Sequence, residues 1–514
     1  MKPFKNEVYI DWSKPSELKK QQQAIKDVEK RLGKKYPLII DGEKVFTEDS
    51  IVSINPSHRS EIVVKFSKAT VHHAELALHA GLRAFETWKN VDPKKRADYL
   101  FKAAAEFRRR RYEINAWMIL EVGKNYLEAD ADTCEAIDFL EFYGREMLRY
   151  ANPPKPLQLK GERDELQYIP LGVGIVIPPW NFPLAILTGM TCAAIVTGNT
   201  VVLKPSSDSP MMGQLLMETL EKIKLPKGVV NFLPGPGGEV GDFLVSHPKT
   251  RFISFTGSKE VGLHINELAA KHQPGQKWIK RIVAEMGGKD SIVVDADTDV
   301  DAAAKGTVAA AFGFQGQKCS ACSRAIVVSK VYDKFVSKVV EYTNALSIGE
   351  AKSNMNVGPV INERAENTIL NYIAIGKKEG KLVAGGTKAI GNGNFIEPTV
   401  IADVPPNARI AQEEIFGPVL AIIKAKDFDD AIAIANNTEY GLTGAVYTKS
   451  KKKIEQAKRD FFCGNLYINR KCTGAMVAAH PFGGFNMSGT DSKAGGSDYL
   501  LLFLQAKSIG EKIK

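Results

Sequence analysis

Between residues 174 and 258 the chain alternates short apolar runs with stretches of helical length, and this rhythm limits its possible folds more than any other feature. Residues 174–177, 200–203, 229–233 and 252–255 read as strands. Residues 184–196, 211–223 and 239–246 read as helices, and another helix follows Phe255. Strands alternating with helices predict an α/β fold in which a parallel sheet is covered on both faces. Ligands of such sheets bind beyond the carboxyl ends of the strands. The loops at 178–183, 204–210, 234–238 and 256–258 are therefore where a site is expected. A second α/β series begins near Ile282, takes in residues 291–294 and 324–328, and ends at 445–447.

Upstream the pattern is different. The first forty residues are polar and rich in Lys and Gln, with 16–31 reading as a solvent-facing helix. Residues 39–46 predict a hairpin around Asp41-Gly42. Apolar residues at helical spacing predict helices over 71–88, from Ala97 toward a C-cap at Gly123, and over 135–149. Residues 153–170 break this run: prolines come first, then two short apolar stretches flank Lys160-Gly161-Glu162. That segment predicts a protruding β-hairpin, whose unpaired edges suit docking on another subunit. No internal repeat or low-complexity segment is present.

A chain of 514 residues is long enough for about three structural units. Its formal net charge of +10 gives a field that favours anionic ligands, though most of those charges read simply as the surface of a soluble basic enzyme. The densest basic runs, at 108–111 and 449–453, fall on helix-like stretches without interleaved aromatics, so no nucleic-acid partner is expected. Six cysteines are too sparse for a disulfide framework and suit a reducing compartment. The N-terminal residues show neither a secretory nor a transit pattern. No apolar run approaches the ~20 residues that span a bilayer. A cytoplasmic location without membrane contact is the expectation.

Four segments carry candidate chemistry. The loop Pro178-Pro179-Trp180-Asn181-Phe182-Pro183 follows a strand, and its three prolines make it rigid enough to hold the Asn181 amide toward a developing oxyanion. Phe255-Thr256-Gly257-Ser258 joins a strand to a helix, where a helix N-terminus favours a pyrophosphate. Gly172-Val173-Gly174 precedes its strand instead of following it, and so fails as a dinucleotide fingerprint. Glu285-Met286-Gly287-Gly288-Lys289 offers a general base at a tight turn, or an ordinary turn carboxylate.

The fourth segment, Gly316-Gln317-Lys318-Cys319-Ser320-Ala321-Cys322, holds a C-x-x-C pair. Zinc would need further ligands at ribbon or finger spacing, and none is present. A thioredoxin-like site would not sit in so long a chain. Cys322 reads as a buried, inert cysteine. A hydrolase of the Cys/His type would need a placed histidine, for which His480 is the one candidate. A free thiol has a pKa near ~8.5 and needs a base or a positive field to act as nucleophile. No metal site is expected.

Together with Glu413-Glu414-Ile415-Phe416-Gly417-Pro418, these segments resemble the aldehyde dehydrogenase superfamily, in family order and from about residue 40 onward. The resemblance implies a Rossmann-type cofactor domain, an α/β catalytic domain and a small β oligomerisation flap. It implies Cys319 as nucleophile, Asn181 with the Cys319 N–H as oxyanion hole, and Glu285 as the base for deacylation. It implies NAD as cofactor, with Lys204 and Glu414 at its two riboses, Phe416 beside the nicotinamide, and Gly257 and Ser258 at the pyrophosphate. Ile177, Pro178, Pro179, Trp180, Phe255 and Thr256 would complete its binding site, with Ser206, Gly237, Gly241 and Gly287. Ser207 stands where many NAD-preferring relatives carry Glu, and without that carboxylate a 2′-phosphate is not repelled. NAD use with tolerance of NADP is expected.

A narrower resemblance, carried by residues 319–324, 472–477 and 480–485 and by the polar N-terminal extension, is to the branch of the family that oxidises L-glutamate γ-semialdehyde to glutamate in proline degradation. It implies Ser320, Gly474 and Ala475 at the substrate α-carboxylate through hydroxyl and N–H donors. It implies Phe182 and Phe482 on the aliphatic part, and Glu135 at the α-ammonium, although an exposed helix carboxylate reads as well there. The rival readings are a dehydrogenase for another semialdehyde or aliphatic aldehyde, and a non-catalytic ligand-binding relative. The expected division is a cofactor-binding unit at 1–150 and 171–284, the first forty residues forming an extension. A catalytic unit at 285–485 and an oligomerisation segment at 151–170 and 486–514 complete it, suggesting a homodimer that associates further.

Overall fold

The computed structural model describes residues 3–513. Five parallel strands form the centre of the first sheet, in the order Arg281–Glu285, Phe252–Thr256, Val173–Ile177, Thr200–Leu203 and Val230–Phe232. The hairpin Leu38–Ile40 and Glu43–Val45 extends it in antiparallel fashion, turning through Asp41 and Gly42 at φ 55 and 77. Both faces are covered by apolar packing, because the central strands are buried on each side. Gly174 lies under the Phe252 ring, where a Cβ would come within 1.9 Å of it. Packing accounts for that glycine.

The second sheet also has seven strands, ordered Lys381–Ala384, Thr399–Ala402, Val419–Ala425, Arg324–Val328, Ser291–Val294, Thr443–Tyr447 and Asn465–Ile468. Only Lys381–Ala384 runs antiparallel. Its two faces are closed by separate apolar clusters. A third, two-stranded unit pairs Glu162–Pro170 with Leu504–Lys512. A small sheet of Lys35–Tyr36, Ser50–Ile54 and Ile62–Ser67 completes the chain. The fold class is thus α/β, with two parallel-sheet units and a β flap. No helix among the described residues is long and apolar enough to cross a membrane.

Several sequence expectations are corrected. The segment before Pro170 is not a hairpin: residues 153–159 are irregular and the strand finds its partner at the far end of the chain. Local turn chemistry cannot announce a pairing of that range. The strand at Ile282 belongs to the first sheet, beside Phe252–Thr256, and not to the second. The helix expected from Ala97 to Gly123 is two helices, Pro93–Arg109 and Arg111–Val122, which both pack on Tyr126–Tyr150. Gly123 does cap the second in the left-handed region, at φ 74. The helix expected at 135–149 begins earlier, as Tyr126–Tyr150, because Asn125 and Glu128 form a capping box. The N-terminal helix Pro15–Glu29 is not wholly solvent-facing, since Gln21, Ile25 and Val28 are buried.

Candidate active site

Beyond the carboxyl ends of Val173–Ile177, Thr200–Leu203 and Phe252–Thr256 lies a cleft of about 740 Å³. Its walls include every residue expected at a cofactor, from Ile177, Pro178, Pro179 and Trp180 to Glu414 and Phe416. Lys204 donates to the Gly235 carbonyl at 3.1 Å, and burial pushes its ammonium down to about 8. At the other end Glu414 accepts from the Gly288 N–H at 3.1 Å, and burial pushes its carboxyl up to about 7. Ser258 caps the helix Lys259–Ala270 through the Val261 N–H, leaving a helix N-terminus at the cleft. Gly237 and Gly238 face open space, and a Cβ on Gly287 would lie 2.1 Å from Glu414. Ser206, Gly241, Phe255, Thr256 and Gly257 line the same cleft, and Ser207 is exposed in it. The Phe416 and Trp180 rings meet edge to face at 5.5 Å. A long cleft with a buried cation at one end, a carboxylate at the other and a helix N-terminus in its wall fits a dinucleotide. Arg364 and Met286 also line it, and sequence reasoning did not single them out.

Cys319 is half-buried and stands where this cleft meets a narrower cavity of about 130 Å³. Its approach is unusual, because Phe314, Gln315 and Gly316 are left-handed in succession, at φ 50, 55 and 67. Two non-glycine residues in that region cost about 1–3 kcal/mol each, a cost met only by a surrounding structure that fixes them. Glu128 accepts from the Phe314 N–H, and Gln317 accepts from the Ile361 N–H at 2.8 Å. Asn181, 4% exposed, donates from Nδ2 to the Gln317 carbonyl at 3.0 Å. One amide proton is thereby used to orient the group and the other remains for a ligand. Burial, then the nearby carboxylates Asp290, Glu414 and Glu285, hold the Cys319 thiol well above its ordinary value. The resting thiol is protonated at neutral pH.

Glu285 ends the strand Arg281–Glu285 and lines the same narrow cavity as Cys319. Its Oε1 accepts from the Ser492 hydroxyl at 2.6 Å and the Ser492 N–H at 3.2 Å, and its Oε2 from the Gly484 N–H at 3.1 Å. Burial outweighs these donors and leaves the carboxyl at about 7. A general base works best near the operating pH. Cys322 is buried, and its thiol donates to the Arg324 carbonyl at 3.5 Å. The Met476 N–H donates to His480 Nδ1, and His480 does not line the Cys319 cavity, so a Cys/His pair is not formed.

The narrow cavity opens into one of about 430 Å³, and both share Glu135, Phe182, Ser320, Gly474 and Ala475. Phe482 lines the narrow part. One guanidinium nitrogen of Arg470 donates to the Thr473 carbonyl at 2.9 Å and the Gly474 carbonyl at 3.0 Å. In a trans peptide the N–H points opposite to the carbonyl. Pinning those two carbonyls therefore turns the Gly474 and Ala475 N–H groups to the other side of the loop. Gly474 sits at φ 82 to allow this path. The Cys472 thiol donates to the Ser320 carbonyl at 3.5 Å, joining the loop to the segment that carries Cys319. Glu135 forms no ion pair among the described residues, and burial followed by Asp132 raises its carboxyl to about 8. Arg470 and Ser492 were missed, because each acts through a neighbour's backbone or carboxylate and belongs to no motif.

Residues 45–509 match the profile of the Aldehyde dehydrogenase family. The chain belongs to this family. Among curated relatives, a 1-pyrroline-5-carboxylate dehydrogenase of Geobacillus kaustophilus is 55% identical over 512 residues, covering 99% of each chain. One from Geobacillus sp. strain WCH70 is 56% identical over the same length. Among solved structures, a 1-pyrroline-5-carboxylate dehydrogenase from Thermus with bound NAD superposes with a TM-score of 0.99 at 49% identity, over all of both chains. HpcC of Thermus thermophilus is more distant in sequence, at 31% identity and a TM-score of 0.90, over 96% of each chain.

Proposed function

We propose that this aldehyde dehydrogenase oxidises L-glutamate γ-semialdehyde, the open form of 1-pyrroline-5-carboxylate, to L-glutamate with NAD. The observation that carries the substrate is one cavity beside Cys319 with Glu135, a carboxylate lacking an ionic partner, on one wall and the Gly474–Ala475 backbone on another. A zwitterionic amino-acid head group complements both. Its ammonium meets Glu135 and draws down the carboxyl that burial holds at about 8, so that the group ionises beside the bound charge. Its carboxylate meets Ser320 and the two N–H groups. Phe182 and Phe482 cover the methylenes between. The relatives that match the whole chain carry the corresponding activity in their names.

Glu285 is the acceptor for the Cys319 proton. The thiolate then adds to the aldehyde carbon, forming a hemithioacetal oxyanion held by Asn181 and the Cys319 N–H. NAD, when bound along the 740 Å³ cleft by Lys204, Ser258 and Glu414, supplies the hydride acceptor. The acyl group remains on Cys319 as a thioester. Glu285 passes the first proton to solvent, then draws one from water as the water adds to the thioester. The Cys319 sulfur leaves as thiolate and takes that proton from Glu285, and glutamate departs. Ser207 places no carboxylate near the ribose, and the enzyme tolerates NADP alongside NAD.

The cofactor unit comprises 1–150 and 171–284, the catalytic unit 285–485, and the flap 151–170 with 486–514. The flap joins two copies in a homodimer that can associate further, a reading supported by the exposure of Leu157 and Leu159 beside it, at 84% and 54%. Six free cysteines support a cytoplasmic location.

The test follows reduced-cofactor absorbance with glutamate semialdehyde, succinate semialdehyde and acetaldehyde, each with NAD and NADP. Glutamate semialdehyde should be the best of the three, and Cys319→Ala should abolish turnover while NAD still binds. A wild-type preference for either other aldehyde would sink the substrate assignment.

A further inference from the structure

The N-terminal segment lies outside the residues that match the family profile, yet it reaches the substrate cavity. Residues 4–12 run along the helix Tyr126–Tyr150, which carries Glu135. The Glu7 N–H donates to Asp138 at 2.7 Å and the Ile10 N–H to Asp130 at 2.8 Å. Phe4 packs edge-on against Phe142 at 5.3 Å, and Trp12 against Tyr126 at 5.4 Å. These contacts seat the segment on the helix one turn from Glu135, since Asp138 is three residues further on.

Two side chains then cross to the loop at 472–477. Asn6 Nδ2 uses both of its protons, one to Asp138 at 2.9 Å and one to the Val477 carbonyl at 3.0 Å. The Tyr9 hydroxyl donates to the Met476 sulfur at 3.5 Å, and Tyr9 lines the 430 Å³ cavity together with Glu135 and Gly474. Arg470 fixes the near end of the loop and the Ala478 N–H, donating to Gly495 at 2.9 Å, fixes the far end. Asn6 ties the loop to the helix that carries Glu135.

We propose that Asn6 and Tyr9 are positioning residues for the amino-acid head group, setting the spacing between Glu135 and the Gly474–Ala475 N–H groups. This rests on the substrate reading above. Neither residue touches Cys319, Asn181 or Glu285, so the chemistry is left in place when they are lost. A segment that only stabilised the fold would affect all aldehydes alike.

The experiment compares Asn6→Ala, Tyr9→Phe and the double variant with wild type on glutamate semialdehyde and on pentanal, which has the same chain length but no head group. For the double variant KM for glutamate semialdehyde should rise about tenfold, the order expected from losing one or two hydrogen bonds of ordinary strength. Its kcat, its KM for pentanal and its NAD affinity, read by quenching of protein fluorescence, should stay within about twofold of wild type. Asn6→Gln should recover part of the loss. Equal effects on both aldehydes, or an unmoved KM for the semialdehyde in a folded double variant, would overturn the proposal. A wild-type enzyme that prefers pentanal would overturn the substrate reading and this proposal together, and that outcome is read before any variant is made.

Discussion

The Ser492 hydroxyl donates to Glu285 at 2.6 Å, so the carboxyl proposed as the base is held by a residue more than two hundred positions downstream. Burial pushes the Glu285 carboxyl up to about 7, and the Ser492 donors pull it down. Only the ionised form accepts a proton, so deacylation should slow as pH falls through about 7. Ser492→Ala removes a hydrogen bond to the charged form, worth about 1.5–3 kcal/mol, and should move that limb upward by roughly one to two units. The pH dependence of deacylation, measured after the first turnover, checks this. An unmoved limb would show that Ser492 does not tune the base.

Asn181→Ala should lower kcat by about 10²–10³, the usual cost of losing one oxyanion donor. Affinity for NAD should change less than kcat, because Asn181 is only one of the many residues that line the 740 Å³ cleft. Stopped-flow measurement of the hydride-transfer step reads this directly, and a loss confined to KM would argue against the assignment.

Arg470→Met releases the Thr473 and Gly474 carbonyls, and with them the orientation of two N–H groups. KM for glutamate semialdehyde should rise by roughly ten- to a hundredfold, while a short aldehyde without a carboxylate is oxidised as before. Steady-state kinetics with both substrates decides it. A parallel loss on both would place Arg470 in the stability of the loop alone.

Lys124 and Asp132 form a buried pair at 2.6 Å, with side chains 1% and 0% exposed, and the ammonium sits 4.2 Å from the Phe182 ring centre. Lys124→Met leaves the Asp132 carboxylate without its cation and should destabilise the protein by about 3–5 kcal/mol. Adding Asp132→Leu should recover much of that loss. Urea denaturation of the two variants tests it, and a double variant no more stable than the single would contradict the account.

Much of this was legible in the residues themselves. The alternation at 174–258 predicts the cofactor sheet, since a buried parallel strand leaves a contiguous apolar run. Cys319, Asn181 and Glu285 stand in motifs whose spacing survives without coordinates. The pairing of Glu162–Pro170 with Leu504–Lys512 was not legible, because the register between distant strands is set by the assembled fold and not by a turn. The left-handed Phe314 and Gln315 gave no signal either, as neither residue type favours that conformation and only surrounding hydrogen bonds impose it. Arg470 and Asn6 act on backbone carbonyls, a role that any long donor fills and no motif records.

The pairing between Glu162–Pro170 and Leu504–Lys512 also orders events in time. On a ribosome, the first strand emerges more than three hundred residues before its partner, and until then it is an open edge seeking one. The donors to Glu285, at Gly484 and Ser492, arrive in the same late stretch. A nascent chain can fold its first parallel sheet early, yet it has neither the donors to Glu285 nor a finished flap until residues 484–512 have been made. Chains stopped before residue 484 therefore lack the groups that hold Glu285 and should show no dehydrogenase activity.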